Sequence, residues 1–486
     1  MRRFRMIGPL GAIVFLLVAW QASALQLSAG GDHTCVVRDD GTVACWGSSV
    51  AGTADGQSNA PTDIAGLSGV TTVDSGGVHA CASAASRVHC WGWNGDGQLG
   101  TGSSDSFRIA VPRTLNKIAG ASVIAAGGRH TCAVQDDGSV WCWGAGNRGQ
   151  ILNGTSEFES PRNVQVLSGL SALDADSDYN CGIRTGGQVV CWGDNVRGQV
   201  SGAPGSAVTT PKDVPGLNNA VSIATGSNHA CAALATGRVS CWGSNEEGAL
   251  GYAKAPKPAG TPVLVPRLAG VVEVSAGRGF SCARTKTGRV MCWGANGLGY
   301  LGSGDPLIPS PTPLPVAGLN DAVAISSGYS HTCAVRATGQ IVCWGSNRDG
   351  QLGNGTRAIA SATPVVVRGF EGTGGNLVIP IPRVRVPAPT ARVTRTGERL
   401  RLAVSARFER AAIGRRVRIE YRRGKTWIAT APVQIAQNGR ISRTIVLTRA
   451  NAGGARVRTL PVRLVLVRSG RSPQVVGTPR AARVPG

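Results

Sequence analysis

The sequence predicts an all-β protein, a seven-bladed β-propeller followed by a small β-sandwich of immunoglobulin-like type. Three observations carry this reading. Fourteen cysteines fall into seven pairs spaced about ten residues apart, and the pairs recur about every fifty residues. Each copy holds four short runs with period-two alternation, separated by glycine turns. After Phe370 the cysteines stop, and the chain turns strongly basic through alternating apolar and Arg-bearing runs. With 69 Gly, 26 Pro and only 16% charged residues, little helix is expected.

Residues 1–24 combine a basic start, MRRFRM, with the apolar IGPLGAIVFLLVAW and the small-residue pattern Ala22-Ser23-Ala24. This is the pattern of a secretory signal cleaved near Leu25, and its apolar core is short for a membrane span. A mature chain exported to the cell envelope or the medium follows. Fourteen cysteines, an even number, then favour disulfides over thiols or metal ligands.

Residues 25–375 hold the repeats. The pairs are Cys35 with Cys45, Cys81 with Cys90, Cys132 with Cys142, Cys181 with Cys191, Cys231 with Cys241, Cys282 with Cys292 and Cys333 with Cys343, and Trp-Gly follows every second member. A fifty-residue period of four strands is the blade of a propeller; the two-residue alternation excludes helix pairs. If Cys132 faces Cys142 across a hairpin, Asp136-Asp137-Gly138 is left as a three-residue loop whose third position needs a left-handed backbone. Glycine stands there in six copies, as Gly41, Gly138, Gly187, Gly237, Gly288 and Gly339. The copy with Cys81 and Cys90 is one residue shorter and fits a two-residue loop, Ala85-Ser86. Seven intra-blade, cross-strand disulfides are therefore expected. The first copy lacks a strand before LQLSAG, whereas 363–370 follow the last copy, so ring closure should place 25–32 and 363–370 in the same or adjacent blades.

The shared pattern, Gly-x-x-His-(Thr/Ala)-Cys and then Cys-Trp-Gly-x-Asn-x-x-Gly-Gln-Leu-Gly, resembles the repeat of the regulator of chromosome condensation family. It is fullest at His79, Trp91, Gly92, Asn94, Gly97, Gln98, Leu99 and Gly100, and at His331, Trp344, Gly345, Asn347, Gly350, Gln351, Leu352 and Gly353; the first copy departs, with Ser49 for Asn. The resemblance implies a seven-bladed ring. It also implies two kinds of activity, nucleotide exchange on a nuclear GTPase and, in a secreted bacterial branch, capping of an extracellular enzyme by one propeller face. Export places this chain nearer the second.

No catalytic, cofactor or metal site is expected. His33, His79, His130, His229 and His331 recur two residues before cysteine, but Tyr179 and Phe280 replace them in two copies, and one His per blade falls short of a zinc ligand set. Packed, hydrogen-bonded histidines and inter-blade tryptophans are the expectation. His89, off the period, has no nucleophile or carboxylate at a suggestive spacing. The sequons at Asn153 and Asn354 are equally explained as Asn-Gly turns.

A Pro- and Gly-rich linker is expected over 376–390, and a basic β-sandwich over 391–486, whose immunoglobulin-like type is what the resemblance of the segment GRRVRIEYRRGKTWIA to immunoglobulin-like modules of bacterial surface proteins implies. Residues 376–486 hold 24 Lys+Arg against 3 Asp+Glu, which leaves the propeller near neutrality. Such a field suits an acidic envelope polymer or a membrane surface, or is a solvated Arg-rich face; nucleic acid lacks a recognition motif. The leading functional expectation is a monomeric, non-enzymatic propeller scaffold that binds or inhibits an extracellular protein. The alternatives are a secreted polysaccharide-active enzyme, which carboxylates off the period at the channel mouth would favour, and a structural cell-surface protein.

Overall fold

The computed structural model describes residues 27–371, apart from 51–55, 85–86, 136, 153–156, 254–257 and 357, and the backbone of strands lying between 390 and 483. The signal segment 1–24 and nearly all of the 376–390 linker lie outside the described residues. Among the described residues every regular element is a strand, and no helix is long and apolar enough to cross a membrane. The chain divides into two compact units, residues 1–380 and 381–486.

The first unit is a ring of seven antiparallel four-stranded sheets, each built from contiguous chain: residues 27–63, 70–119, 121–168, 170–213, 220–264, 271–315 and 322–366. In blade 1 the order is Leu27–Ala29, His33–Val37, Val43–Gly47 and Ser58–Asp63, from the inner strand to the outer. The loops joining first to second and third to fourth strands share one end of the ring, here the loop face. The tight second-to-third hairpins share the other.

The hairpin register is the expected one. In every blade the two cysteines stand directly opposite each other on the second and third strands. Cys35 is bonded to Cys45, Cys81 to Cys90, Cys132 to Cys142 and Cys181 to Cys191. Cys231 is bonded to Cys241, Cys282 to Cys292 and Cys333 to Cys343, and across the seven disulfides the Cα atoms lie 4.0–4.1 Å apart. In blade 4 the amide of Arg184 donates to Gln188 O and that of Gly187 to Arg184 O, which closes a three-residue loop on a glycine at φ +96°. The short blade 2 hairpin instead pairs Ala84 with Arg87.

Between blades the repeated motif explains itself. The seven Trp of Cys-Trp-Gly are fully buried, and each indole Nε1 donates to a carbonyl of the preceding blade over 2.7–3.3 Å. That carbonyl is held by its own loop. Asn94 Oδ1 accepts the Leu99 amide and Gln98 Oε1 accepts the Asp96 amide, so Gln98 O is presented to Trp143 at 2.8 Å. In the first copy, where Ser49 replaces Asn, Val50 O serves Trp91 at a longer 3.3 Å. Hydrophobic clusters bridge neighbouring blades in the same way; Trp46 and Val36 of blade 1 share a core with Val335, Leu352 and Phe370 of blade 7.

Ring closure is by this packing and not by strand exchange. Blade 1 has its own outer strand, Ser58–Asp63, so Ala360–Val366 completes blade 7, and the first and last strands of the ring, Leu27–Ala29 and Ala360–Val366, lie in adjacent blades. The seam is stitched by Ala29 N to Ser326 Oγ at 2.9 Å, Trp46 Nε1 to Gln351 O at 2.8 Å and Gly355 N to Asn59 O at 2.8 Å. Counting strands from the start of each repeat suggested a missing N-terminal strand. The outer strand of a blade in fact follows its Cys-Trp-Gly strand, so none is missing.

In the second unit, Thr390–Thr396, Arg399–Arg407 and Arg440–Leu447 form one antiparallel sheet. Arg416–Arg423 and Thr459–Val467 centre another, with Thr426–Ala429 at its edge.

Candidate functional site

Three polar layers could hold function, and they differ in what they can do. The first is the histidine belt. His33, His79, His130, His229 and His331 are buried at the start of each second strand. His79 Nε2 lies 2.8 Å from Thr131 Oγ1 in the next blade, and that hydroxyl lies 3.1 Å from Gln98 O. A carbonyl only accepts, so the hydroxyl donates to it and accepts from Nε2–H, which fixes the neutral tautomer. Asn180 does the same for His130, accepting from Nε2 and donating to Gln150 O, and Ser281 serves His229. Thr34 serves His331 across the seam. Where Tyr179 replaces His, its hydroxyl donates to carbonyl oxygens of blade 5. Desolvation drives the imidazoles down, to about 3 for His79 and His331 and about 4 for His229. This belt is structural.

One histidine departs from that expectation. His33 makes no well-formed hydrogen bond at either ring nitrogen and is only weakly drawn towards the His79 backbone, because the residue that should bear the hydroxyl in blade 2 is Ala80. Burial pushes it to about 3 as well. His89, off the period, is half-buried on an outer blade face, where Nδ1 meets Thr114 Oγ1 at 3.1 Å. Of the sequons, Asn153 lies outside the described residues, while Asn354 Oδ1 accepts the amide and hydroxyl of Thr356 in a turn.

The second layer is the central channel, with a cavity of about 170 Å³ whose lining includes Asp74, Asp174 and Asp176. The sequence reading did not single these out, although they break the repeat. At the inner-strand position facing the first cysteine, five blades carry an acceptor that takes an amide of the next blade. Ser28 accepts Ser75 N, Asp74 accepts Ala126 N and Asp174 accepts Thr225 N. Ser275 accepts Ser327 N, and Ser326 accepts Ala29 N. Asp176 instead accepts the amide and hydroxyl of Ser177. Desolvation raises Asp74 and Asp176 to about 7 and Asp174 to about 6. Glu273 is likewise raised by burial, although Arg284 pulls it back. Among the described residues no group of His, Cys, Asp and Glu is arranged to hold a metal ion.

The third layer is the loop face. There a cleft of about 500 Å³ opens beside the channel mouth, with Trp93, Arg108, Arg129, Asp178 and Tyr329 among its walls and Gly77 and Gly128 in its floor. Among the described residues, six of the ten exposed large apolar residues lie on the same face, while Leu264, Val272 and Val366 lie towards the hairpin end and Val111 within an outer strand. Trp93, Val196, Leu307, Ile308 and Ile359 lie at or beyond third-strand ends, and Phe107, 79% exposed, stands two residues into the outer strand Asp105–Ala119.

A ring of seven disulfide-stapled blades joined through Trp and His to the neighbouring blade defines a β-propeller with a rigid frame and variable loops. Models of the regulator of chromosome condensation (RCC1) repeat match residues 25–53, 122–150, 220–249, 271–299 and 322–351, and, in a second form, 86–134, 236–284, 287–335 and 338–380. Together these cover more than half of the chain, which belongs to the regulator of chromosome condensation repeat family. Among curated proteins it is similar to the probable E3 ubiquitin-protein ligase HERC6 of Homo sapiens, 40% identical over 101 residues that make up 20% of this chain and 10% of that protein. It is also similar to the ultraviolet-B receptor UVR8 of Arabidopsis thaliana, 31% identical over 143 residues, 27% of this chain and 32% of that protein. The chain thus spans about a third or less of these relatives. Among solved structures, yeast RCC1 (Prp20) bound to Kap60 aligns with a TM-score of 0.62 at 19% identity, over 76% of this chain and 90% of that one. Human WBSCR16 aligns with a TM-score of 0.58 at 21% identity, over 66% and 88%. These two show the fold.

Proposed function

We propose that this protein is an exported scaffold that binds an extracellular protein through the loop face of its propeller, with a basic C-terminal β-sandwich holding it at the cell envelope. The observation that carries the binding face is the gathering there of Trp93, Phe107, Leu307, Ile308 and Ile359, the last four 62–79% exposed, whereas Leu264, Val272 and Val366 at the hairpin end are 38–44% exposed. Large apolar side chains left in water on a rigid frame mark an interaction surface. A solved relative, yeast RCC1, is bound to another protein, Kap60, which supports the class of role. Support for export comes from the signal-like residues 1–24 and from seven disulfides, bonds that persist in oxidising compartments. Residues 376–486, with 24 Lys+Arg against 3 Asp+Glu, suit anionic envelope material.

Affinity capture with the secreted chain tests the scaffold reading. A retained protein should be lost with Leu307→Asp plus Ile308→Asp and kept with Lys286→Asp on the hairpin end; retention by both, or loss with both, refutes the face assignment. Deleting 376–486 should abolish salt-sensitive association with anionic envelope material, and equal association by the shortened chain refutes the anchoring role.

A second reading, a polysaccharide-active enzyme, has one observation in its favour, the three channel carboxylates. Two considerations weigh against it. Each carboxylate already accepts a backbone amide, two of them across a blade boundary. The cavity they line, about 170 Å³, is below the roughly 300–1,000 Å³ of ligand sites.

A further inference from the structure

In a ring of seven equivalent blades, residues that serve the frame recur and residues that serve a ligand break the pattern. Trp93 follows Cys90-Trp91-Gly92 where the other six blades carry Ser, Ala or Asp. It is 39% exposed, whereas the seven Cys-Trp-Gly tryptophans are fully buried. Its indole lies over Gly95, where an added Cβ would stand 2.6 Å from Nε1, so the loop is cut away to let the ring lie flat beside the cleft. The residue before the blade 3 histidine is Arg129, the one basic residue at that position in the seven copies. Tyr329 likewise stands where three blades have glycine, and its hydroxyl reaches across to Gly77.

These substitutions converge on one place, the cleft of about 500 Å³ on the loop face, which falls within the range of ligand sites. Two guanidinium groups, Arg108 and Arg129, and one carboxylate, Asp178, are among its lining; Asp178 Oδ1 already accepts Gln150 Nε2 at 3.1 Å, and Asp176 and Asp32 lie near enough to act on Tyr329. Among the described residues Arg129 pairs with Asp96 at 3.5 Å, with half of its side chain exposed, a pairing of little net strength. The cleft therefore offers cationic hydrogen-bond donors behind an aromatic wall and a glycine floor.

We propose that this cleft seats an acidic peptide segment of the partner, with a Glu or Asp side chain running along the Trp93 indole and its carboxylate on the Arg129 guanidinium. Guanidinium groups bind carboxylates through two parallel N–H donors, and an indole face covers the apolar stem and backbone beside them. This inference deepens the scaffold reading and depends on it.

Titration calorimetry of the full chain, in about 150 mM salt, would use three probes. They are the blocked peptide acetyl-Gly-Glu-Phe-Glu-Gly-amide, its Gln counterpart and trigalacturonate. The Glu peptide should bind saturably, with Kd between about 10 μM and 1 mM, and the Gln peptide roughly tenfold more weakly. Trp93→Ala and Arg129→Gln, both at exposed positions, should each weaken the Glu peptide roughly tenfold while leaving the unfolding midpoint in place. Equal binding of the Glu and Gln peptides, preference for trigalacturonate, or no heat up to about 5 mM peptide overturns the proposal. So does binding that persists in both variants, as association with the basic residues 391–486 would. A captured protein that both variants retain, but the Leu307→Asp plus Ile308→Asp chain loses, would sink the acidic-peptide site and leave the scaffold reading standing.

Discussion

Ala80→Ser should stabilise the ring. His33 is buried with no well-formed hydrogen bond at either ring nitrogen, and the residue facing it from blade 2 is Ala80, where Thr131, Ser281 and Thr34 supply hydroxyls in blades 3, 6 and 1. A hydroxyl there has two bonds to make, a His33 ring N–H as donor once the ring turns as in the other blades and Val50 O as acceptor; Val50 O already receives Trp91 Nε1, as Gln98 O receives Trp143. An unmade bond on a buried donor costs about 1–3 kcal/mol, and fitting one oxygen into a packed site takes back up to about 1 kcal/mol. The net gain is up to about 2 kcal/mol, against the usual sign for a core substitution. Urea unfolding of the non-reduced chain would measure it, with Thr131→Val as the converse, losing about 1–3 kcal/mol by orphaning His79. An unmoved or lowered midpoint for Ala80→Ser, alongside a clear loss for Thr131→Val, would refute the hydroxyl–imidazole account of the belt.

Gly353→Ala should loosen the seam. The residue sits at φ +63° with its would-be Cβ 2.6 Å from Trp46 Nε1, whereas Gly369, at φ +80°, has open space. Both substitutions incur about 1–2 kcal/mol of backbone strain, so Gly353→Ala should cost at least about 1 kcal/mol more in urea unfolding, and equal costs would refute the close Trp46 contact. On pH, the buried imidazoles of the belt have folded values below 6.5, so the unfolded chain takes up protons first and stability falls as pH drops from 6.5 towards about 3. Asp74, Asp174, Asp176 and Glu273 are raised, so they work oppositely: the folded chain binds protons first, and their effect stabilises as pH falls from about 7 towards 4. Between pH 6 and 4 the two sets oppose each other, so the loss of stability towards acid pH is shallower than the imidazoles alone would give. Asp74→Asn should steepen that slope in urea titrations, and a flatter slope would contradict the assignment.

Legibility followed the range of the interactions. The hairpin of Cys132 and Cys142 and its Gly138 are written within a dozen residues, the four-strand blade within one copy, and the fifty-residue period makes the ring. The motif letters Asn94, Gln98 and Gly100 were visible as repeats, but their purpose was not. Their purpose is to present one carbonyl to Trp143, 45 residues further on, and only the ring brings the two together. Asp74 and Asp174 escaped notice because Ser28 and Ser275 do the same work in other blades, so the position reads as merely polar. The vacancy at Ala80 was readable in principle, since every other belt imidazole is matched by Thr, Ser or Asn one blade later.

That matching separates frame from function. A residue repeated across copies by a shared bond, such as the Trp indole on its carbonyl, says nothing of a partner, because each copy would need it to close the ring. Trp93 makes no such bond, stands half in water and displaces the small residues of six other blades, while Gly95 beneath it gives up a side chain to accommodate it. Packing gives no reason to keep a large aromatic there. The ring would close as well with the Ser or Ala of its neighbours, so the exposed indole and the Arg129 beside it are accounted for by what binds over them.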